Sequence, residues 1–312
     1  MEGKMKFGRW LPRVCCGLGV LGLLLLLTPL HIQAAGTPKA YQAEDAIPGE
    51  GDKPFYEEKA FWTGAGEASE KTEVADTKAL KGEWITKNQR TYYRIEGKKQ
   101  KGIQEINGKT YFFDSRGIQR TGWQKIEGEF YFFRIANGKK GYMEKATKRN
   151  GITLKKNGKA KLTESSLAKL DVLIKANKIV EKVTKPGMSK SEKLKKCYQY
   201  AKKEFQYRGS PKFQGGGRWE LDYALDMFDQ GHGSCYAYGA AMAFLADAVG
   251  YENCYAISSG GHGWAEIEGR VYDISWDLVD RKHNYYALSY ELSGVDGRPN
   301  YKNARKYVKK IN

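Results

Sequence analysis

Residues 231–252, GHGSCYAYGAAMAFLADAVGYE, followed at 260–277 by GGHGWAEIEGRVYDISWD, decide how the second half of this 312-residue chain folds. The run from Cys235 to Val249 carries one charge, Asp247, and is apolar all round, which predicts a helix buried in a domain interior. Ser234 stands where an N-cap belongs. That puts Cys235 in the first turn, where free backbone N–H groups and the helix dipole favour a thiolate and can also hold an oxyanion. The second stretch alternates on both sides of Glu268-Gly269, the pattern of two strands joined by a tight hairpin. With those two residues as the loop, His262 faces Ser275 and Trp264 faces Asp273. His262 and Asp273 then become diagonal neighbours on one face. If the helix start docks beside that face, Cys235, His262 and Asp273 form a set in which imidazole takes the thiol proton and carboxylate fixes its tautomer.

Working outward, residues 164–312 read as mixed helix and strand. Leu167, Leu170, Leu173, Ile174 and Val180 mark an amphipathic helix ending at Pro186-Gly187. Ser189 and Glu192 make a capping box for a second helix, along which Leu194, Cys197, Tyr198, Ala201 and Phe205 fall at helical spacing. Cys197 on that stripe and Cys254 in a strand-like NCYAIS read as core, with a bridge between them possible. Trp264, Trp219 and Tyr207 are candidates for lining a substrate cleft, with aromatic packing as the alternative. Asp277 is a substitute for Asp273. His232 and His283 read as loop residues, the latter solvated. The histidines and cysteines lack metal-ligand spacing, and no phosphate loop or dinucleotide fingerprint occurs, so neither metal nor cofactor is expected.

The first half is organised differently. A basic opening and an apolar run from Val14 to Leu30, followed by small residues at Ala34 and Ala35, make residues 1–35 a secretory signal peptide in expectation. Beyond it lie three cysteines, an odd number in an exported chain, so at least one thiol is free or pairs between chains. Residues 36–80 hold five lysines against ten acids and show no sustained period, the composition of a disordered acidic linker. With +3 on residues 1–35 and −5 on residues 36–80, the net charge of +17 leaves +19 on the remainder, which favours anionic partners; without a nucleic-acid motif, nucleic acid is not expected among them. From 81 to 163 a unit of about 20 residues recurs. Units at 82–101, 102–121 and 122–142, with a fading copy at 149–163, each hold a short strand, a turn such as Asn107-Gly108 or Glu127-Gly128, and an aromatic strand such as Tyr131-Phe132-Phe133. Successive hairpins of this kind must stack to form a core.

Two resemblances follow. Gly122, Trp123, Gly128, Phe130, Tyr131, Phe132 and Phe133 resemble the cell-wall-binding repeats, of choline- or glucan-binding type, of Gram-positive surface proteins. That resemblance implies a cell-wall polymer or glycan as partner and Trp84, Trp123, Tyr111, Phe130 and Tyr131 as ligand-binding aromatics. Ile103 replaces the first cage tryptophan of unit two, and Thr91 and Thr110 the second in units one and two, which departs from choline recognition. Gly233-Ser234-Cys235, His262-Gly263-Trp264-Ala265-Glu266 and the strand Val271 to Asp277 resemble the transglutaminase-like superfamily, a papain-like group. The resemblance implies an α+β papain/transglutaminase-like domain at 164–312 after an all-β array of hairpins, with Cys235 as nucleophile, His262 as base and acid, and Asp273 as orienter. The expected protein is a secreted, wall-associated, monomeric cysteine enzyme transferring acyl groups at amide bonds of a peptide or protein substrate. The alternative is a non-catalytic wall- or peptide-binding surface protein.

Overall fold

The computed structural model describes residues 82–135, 141–185, 187–209 and 212–312. The expected signal peptide and acidic linker lie outside the described residues. The repeats fold as consecutive antiparallel hairpins: β1 (Glu83–Lys87) with β2 (Arg90–Ile95) and the short β3 (Lys98–Lys99), β4 (Gly102–Ile106) with β5 (Lys109–Phe113) and β6 (Gln119–Arg120), and β7 (Gly122–Ile126) with β8 (Glu129–Phe133). Their two-residue turns need positive φ at both positions. Asn107 (50°) and Gly108 (69°), then Glu127 (50°) and Gly128 (80°), meet that need. Aromatic strands close the gaps between hairpins: Trp84 meets Tyr111 edge-on at 4.9 Å, and Phe112 stacks on Phe133 at 5.8 Å. A last pair, β9 (Thr147–Arg149) and β10 (Ile152–Leu154), accounts for the fading copy.

This stacking uses up several of the aromatics expected to face a ligand. Trp123, Tyr111 and Tyr131 are buried, at 3%, 6% and 9% exposure, and so serve as packing. Trp84 and Phe130 are half-buried, Trp84 against Tyr93 and Tyr111, and Phe130 under the Lys125 ammonium.

Two capped helices open the second half. α1 (Glu164–Val183) starts with a reciprocal cap between Thr163 and Ser166; α2 (Lys190–Glu204) starts with the Ser189–Glu192 capping box. Leu167, in the first turn of α1, lies off the buried face and is exposed. After β11 (Gln206–Tyr207) come α3 (Trp219–Gln230), β12 (His232–Gly233) and α4 (Cys235–Val249). Every residue of α4 except Asp247 and Ala248 is buried, because α1, α2 and α3 pack around it on one side and a sheet on the other. That sheet is antiparallel and four-stranded, in the order β15 (Arg270–Tyr272), β14 (Gly263–Ile267), β13 (Cys254–Ser258), β16 (Tyr307–Lys310), with α5 (Ile274–Val279) following β15. The α+β class holds.

The third hairpin belongs to the same core. Trp123 and Phe132 pack in one apolar cluster with Leu170, Leu173 and the buried side of α4. The Trp123 indole donates to Asn150 Oδ1 (2.8 Å), and Asn150 Nδ2 donates to Asp247 Oδ2 (2.9 Å) on α4. From α1, Asn177 donates to the Thr121 carbonyl (3.1 Å), while Glu181 accepts from Arg120 (3.1 Å). Gly122 is obligatory at this seam: its φ is 75°, and a Cβ there would lie 2.4 Å from Asn177 Oδ1.

Candidate active site

Cys235 is the first residue of α4 and is buried. Ser234 has the extended backbone of an N-cap, yet its hydroxyl makes no capping bond and has no partner among the described residues. The expected side-chain cap is therefore absent, and the turn is closed by backbone. The first intrahelical bond runs from the Tyr238 amide to the Ser234 carbonyl (3.0 Å), so the N–H groups of Cys235 and Tyr236 lie ahead of the ladder. Two glycines bring this helix end against the sheet. A Cβ on Gly239 would fall 2.7 Å from the Trp264 backbone, and one on Gly263 would fall 2.7 Å from Tyr236 Cα.

His262 sits just before β14, in a loop pinned by Ser259. The Ser259 hydroxyl accepts from the His262 amide (2.9 Å) and the Gly261 amide (3.2 Å), while the Ser259 amide donates to the His262 carbonyl (2.9 Å). The imidazole bonds Asp273 Oδ2 through Nε2 at 2.5 Å and is coupled electrostatically to the Cys235 thiol. With Nε2 engaged by Asp273, Nδ1 is the nitrogen left to exchange a proton with sulfur. Burial works against a charged ring here, but the Asp273 carboxylate and then the Cys235 thiol outweigh it and raise the His262 pKa to about 10.

Asp273 is 1% exposed and is satisfied on both oxygens. Oδ1 accepts from Ser275 Oγ (2.8 Å) and the Trp276 amide (3.1 Å); Oδ2 accepts from the Tyr301 hydroxyl (2.8 Å) beside the His262 bond. The hairpin register is the expected one, Ala265 opposite Tyr272 and Ile267 opposite Arg270. The strand stops at Tyr272, however, and does not run on to Asp277, because Asp273 turns to cap α5. Asp277 consequently falls on a helix, where it accepts from Tyr198 (3.1 Å) and Lys202 (2.8 Å).

The expected cleft residues divide. Tyr207 is 52% exposed, lies opposite Gly233 in the β11–β12 pair, and has its phenol pKa raised by burial and then by the charges of Cys235 and Asp273. It borders the cysteine. Trp264 is 1% exposed and lies under the site, stacked on His262 at 6.1 Å and edge-on to Tyr301 at 5.1 Å. Trp219 is also buried, in an aromatic group with Phe213 and Tyr223, so neither tryptophan lines an open cleft. Among the described residues the other two cysteines are free, and burial pushes Cys197 up to about 12 and Cys254 well upward. His283 is clasped between Asp280 (2.7 Å) and Asp296 (3.0 Å), which corrects the reading of a solvated loop histidine. Among the described residues no group of His, Cys, Asp and Glu is arranged to hold a metal ion.

Sequence reasoning missed Tyr301, which lies in GRPNYKNARK, a stretch without periodicity or motif. It also missed what Glu266 does. This buried carboxylate accepts from the Tyr290 hydroxyl and from Arg305 (2.8 Å), and Tyr290 accepts from the Trp264 indole (3.4 Å), a support beneath the ring that stacks on His262.

Residues 177–280 match the model of the transglutaminase-like superfamily, and residues 100–142 match that of the choline-binding repeat, in the order expected from the sequence. Solved structures similar to part of the chain include choline-binding protein F from Streptococcus pneumoniae in the presence of a peptidoglycan analogue (28% identity, 25% of this chain and 26% of that one, TM-score 0.23). Others are the choline-binding domain of a second S. pneumoniae protein (22% identity, 25% and 93%, TM-score 0.23) and truncated alternansucrase from Leuconostoc mesenteroides (24% identity, 26% and 7%, TM-score 0.22). The match spans about a quarter of choline-binding protein F. No curated protein matches the chain.

Proposed function

We propose that this is an exported, wall-associated cysteine enzyme that transfers acyl groups from amide bonds of a peptide or protein through Cys235, His262 and Asp273. The observation that carries the reading is His262 held between a helix-first cysteine and a buried carboxylate. In the first half-reaction Cys235 Sγ attacks the amide carbonyl carbon. The carbonyl oxygen gains negative charge, for which the unladdered N–H of Cys235 is a ready donor. The C–N bond then breaks as His262 gives its proton to the departing amine, which leaves a thioester on sulfur. In the second, water or an amine attacks the thioester, His262 takes its proton, and the thiol is restored. Asp273 keeps the imidazole oriented and supports its charged form throughout. Tyr207, at the rim beside Gly233, is the described aromatic best placed to meet substrate. The repeats supply wall attachment, supported by their match to the choline-binding repeat.

The test is labelling of each cysteine by iodoacetamide, followed by mass spectrometry between pH 5 and 10. Cys235 should react at pH 6 faster than a free cysteine, and His262→Ala should remove that lead. If Cys235 labels no faster than free cysteine, the domain is a binding module. Incorporation of a labelled amine in competition with hydrolysis then distinguishes a cross-linking enzyme from a peptidase or amidase.

A further inference from the structure

A concave groove of about 440 Å³ opens where the second and third hairpins meet the segment leading into β9. Its charged lining is Lys109, Arg134, Lys145 and Arg149 against the single carboxylate of Glu144, and its aromatic is Tyr142. The carboxylate is already held. Arg149 Nη2 reaches both of its oxygens (2.8 and 2.9 Å), and Arg134 Nε lies 3.4 Å away. Lys109 and Lys145 are exposed and have no carboxylate partner among the described residues.

An aromatic ring in such a groove invites comparison with a quaternary-ammonium cage, which needs free ring faces. Tyr142 does not offer them. Lys109 Nζ lies 4.6 Å and the Arg134 guanidinium 5.5 Å from its ring centre, and Arg134 also donates to its hydroxyl (3.0 Å). The same substitution recurs along the repeats: Lys99 covers Tyr92 at 4.1 Å, Lys125 covers Phe130 at 5.6 Å, and Arg149 covers Phe132 at 4.9 Å. A ligand cation would have to displace one of the chain's own and enter a net-positive groove. An anion meets the reverse situation.

We propose that this groove binds a polymer of phosphodiesters, which deepens and rests on the wall-associated reading. The guanidinium forks, which suit a planar carboxylate, are engaged with Glu144 and Tyr142. What remains without a carboxylate is a pair of ammonium groups, Lys109 over the Tyr142 ring face and Lys145, point charges that accept a tetrahedral phosphate without a fixed geometry. The repeat architecture is thus kept while the sign of its ligand is inverted.

The experiment titrates the full chain with poly(glycerol phosphate), polygalacturonate and choline chloride by calorimetry, beside Lys109→Glu and Lys145→Glu; both side chains are exposed, so the fold should survive. Poly(glycerol phosphate) should bind and weaken as salt rises. Each charge reversal should cost about tenfold in affinity. Choline at millimolar concentration should neither bind nor compete. Choline binding that is lost in Tyr142→Ala, equal binding of polygalacturonate, or indifference to both reversals overturns the proposal. Sedimentation with isolated cell walls separates the two readings: a chain that sediments but ignores poly(glycerol phosphate) keeps its wall association and loses this site, whereas one that does neither loses both. Cys235→Ala, carried alongside, should leave all of these results unchanged.

Discussion

Replacing Tyr301 by Phe removes one oxygen from a buried arrangement and leaves its packing intact. Its hydroxyl donates to Asp273 Oδ2 at 2.8 Å, and both residues are 1% exposed. The acceptor is a carboxylate beside an imidazole, so the bond is charge-assisted and contributes about 2 kcal/mol, more than the ~1 kcal/mol of a neutral pair. In a unit of this size that loss lowers the melting temperature by roughly 4–8 °C. Asp273 would still be held at Oδ1 by Ser275 and the Trp276 amide, so the carboxylate should stay while Oδ2 is left to His262 alone. The signature is therefore double: a fall of about 2 kcal/mol in urea unfolding, and a displaced pH profile of Cys235 alkylation. Asp273→Asn, which puts an amide among four donors, should cost more in both readouts. A Tyr301→Phe protein within about 0.5 kcal/mol of its parent, with an unchanged profile, would show that this bond carries neither stability nor site geometry.

Three further outcomes are expected. Gly239→Ala places a Cβ 2.7 Å from the Trp264 backbone, so it should cost about 1–3 kcal/mol by overpacking and slow Cys235 labelling; a stable variant with unaltered labelling refutes the close approach. Burial pushes the Asp247 carboxyl up to about 6 against its hydrogen bond from Asn150. The folded chain thus holds that proton to higher pH than the unfolded chain, and stability falls as pH rises from about 4 to 6. Asp247→Asn should stabilise above pH 6 by up to about 3 kcal/mol, with the gain vanishing near pH 4 in urea midpoints. The raised His262 pKa acts in the same direction but in a higher window: its contribution is complete below the ordinary imidazole range and is lost as pH climbs toward about 10. The urea midpoint of the parent should fall relative to His262→Gln between about pH 7 and 10, and parallel curves would refute the pairing.

The parts of the site that were legible in the sequence are those fixed by local chemistry. An all-apolar run behind Gly-Ser announced α4, and the alternation around Glu268-Gly269 set a register that brought His262 to Asp273. What escaped depends on contacts between distant segments. Whether Asp273 ends a strand or continues it is decided by its bond to the Trp276 amide, and the Tyr301 hydroxyl arrives from a loop with no pattern of its own. The repeats show the same division. Their turns and aromatic strands were readable, but which rings face a ligand was not, because Trp123 is claimed by α1 and α4, and Tyr142 by two side chains from other hairpin segments.

The seam between the third hairpin and α1 bears on how this protein can be dissected. Composition invites a cut near residue 163, to express the transglutaminase-like piece without its repeats. Such a cut would remove Trp123 and Phe132 from the apolar cluster they share with Leu170 and Leu173, and would strip Asn177 of its Thr121 acceptor and Glu181 of Arg120. The third hairpin is the lid of the helical layer, and a truncation that spares the fold must begin upstream of Arg120.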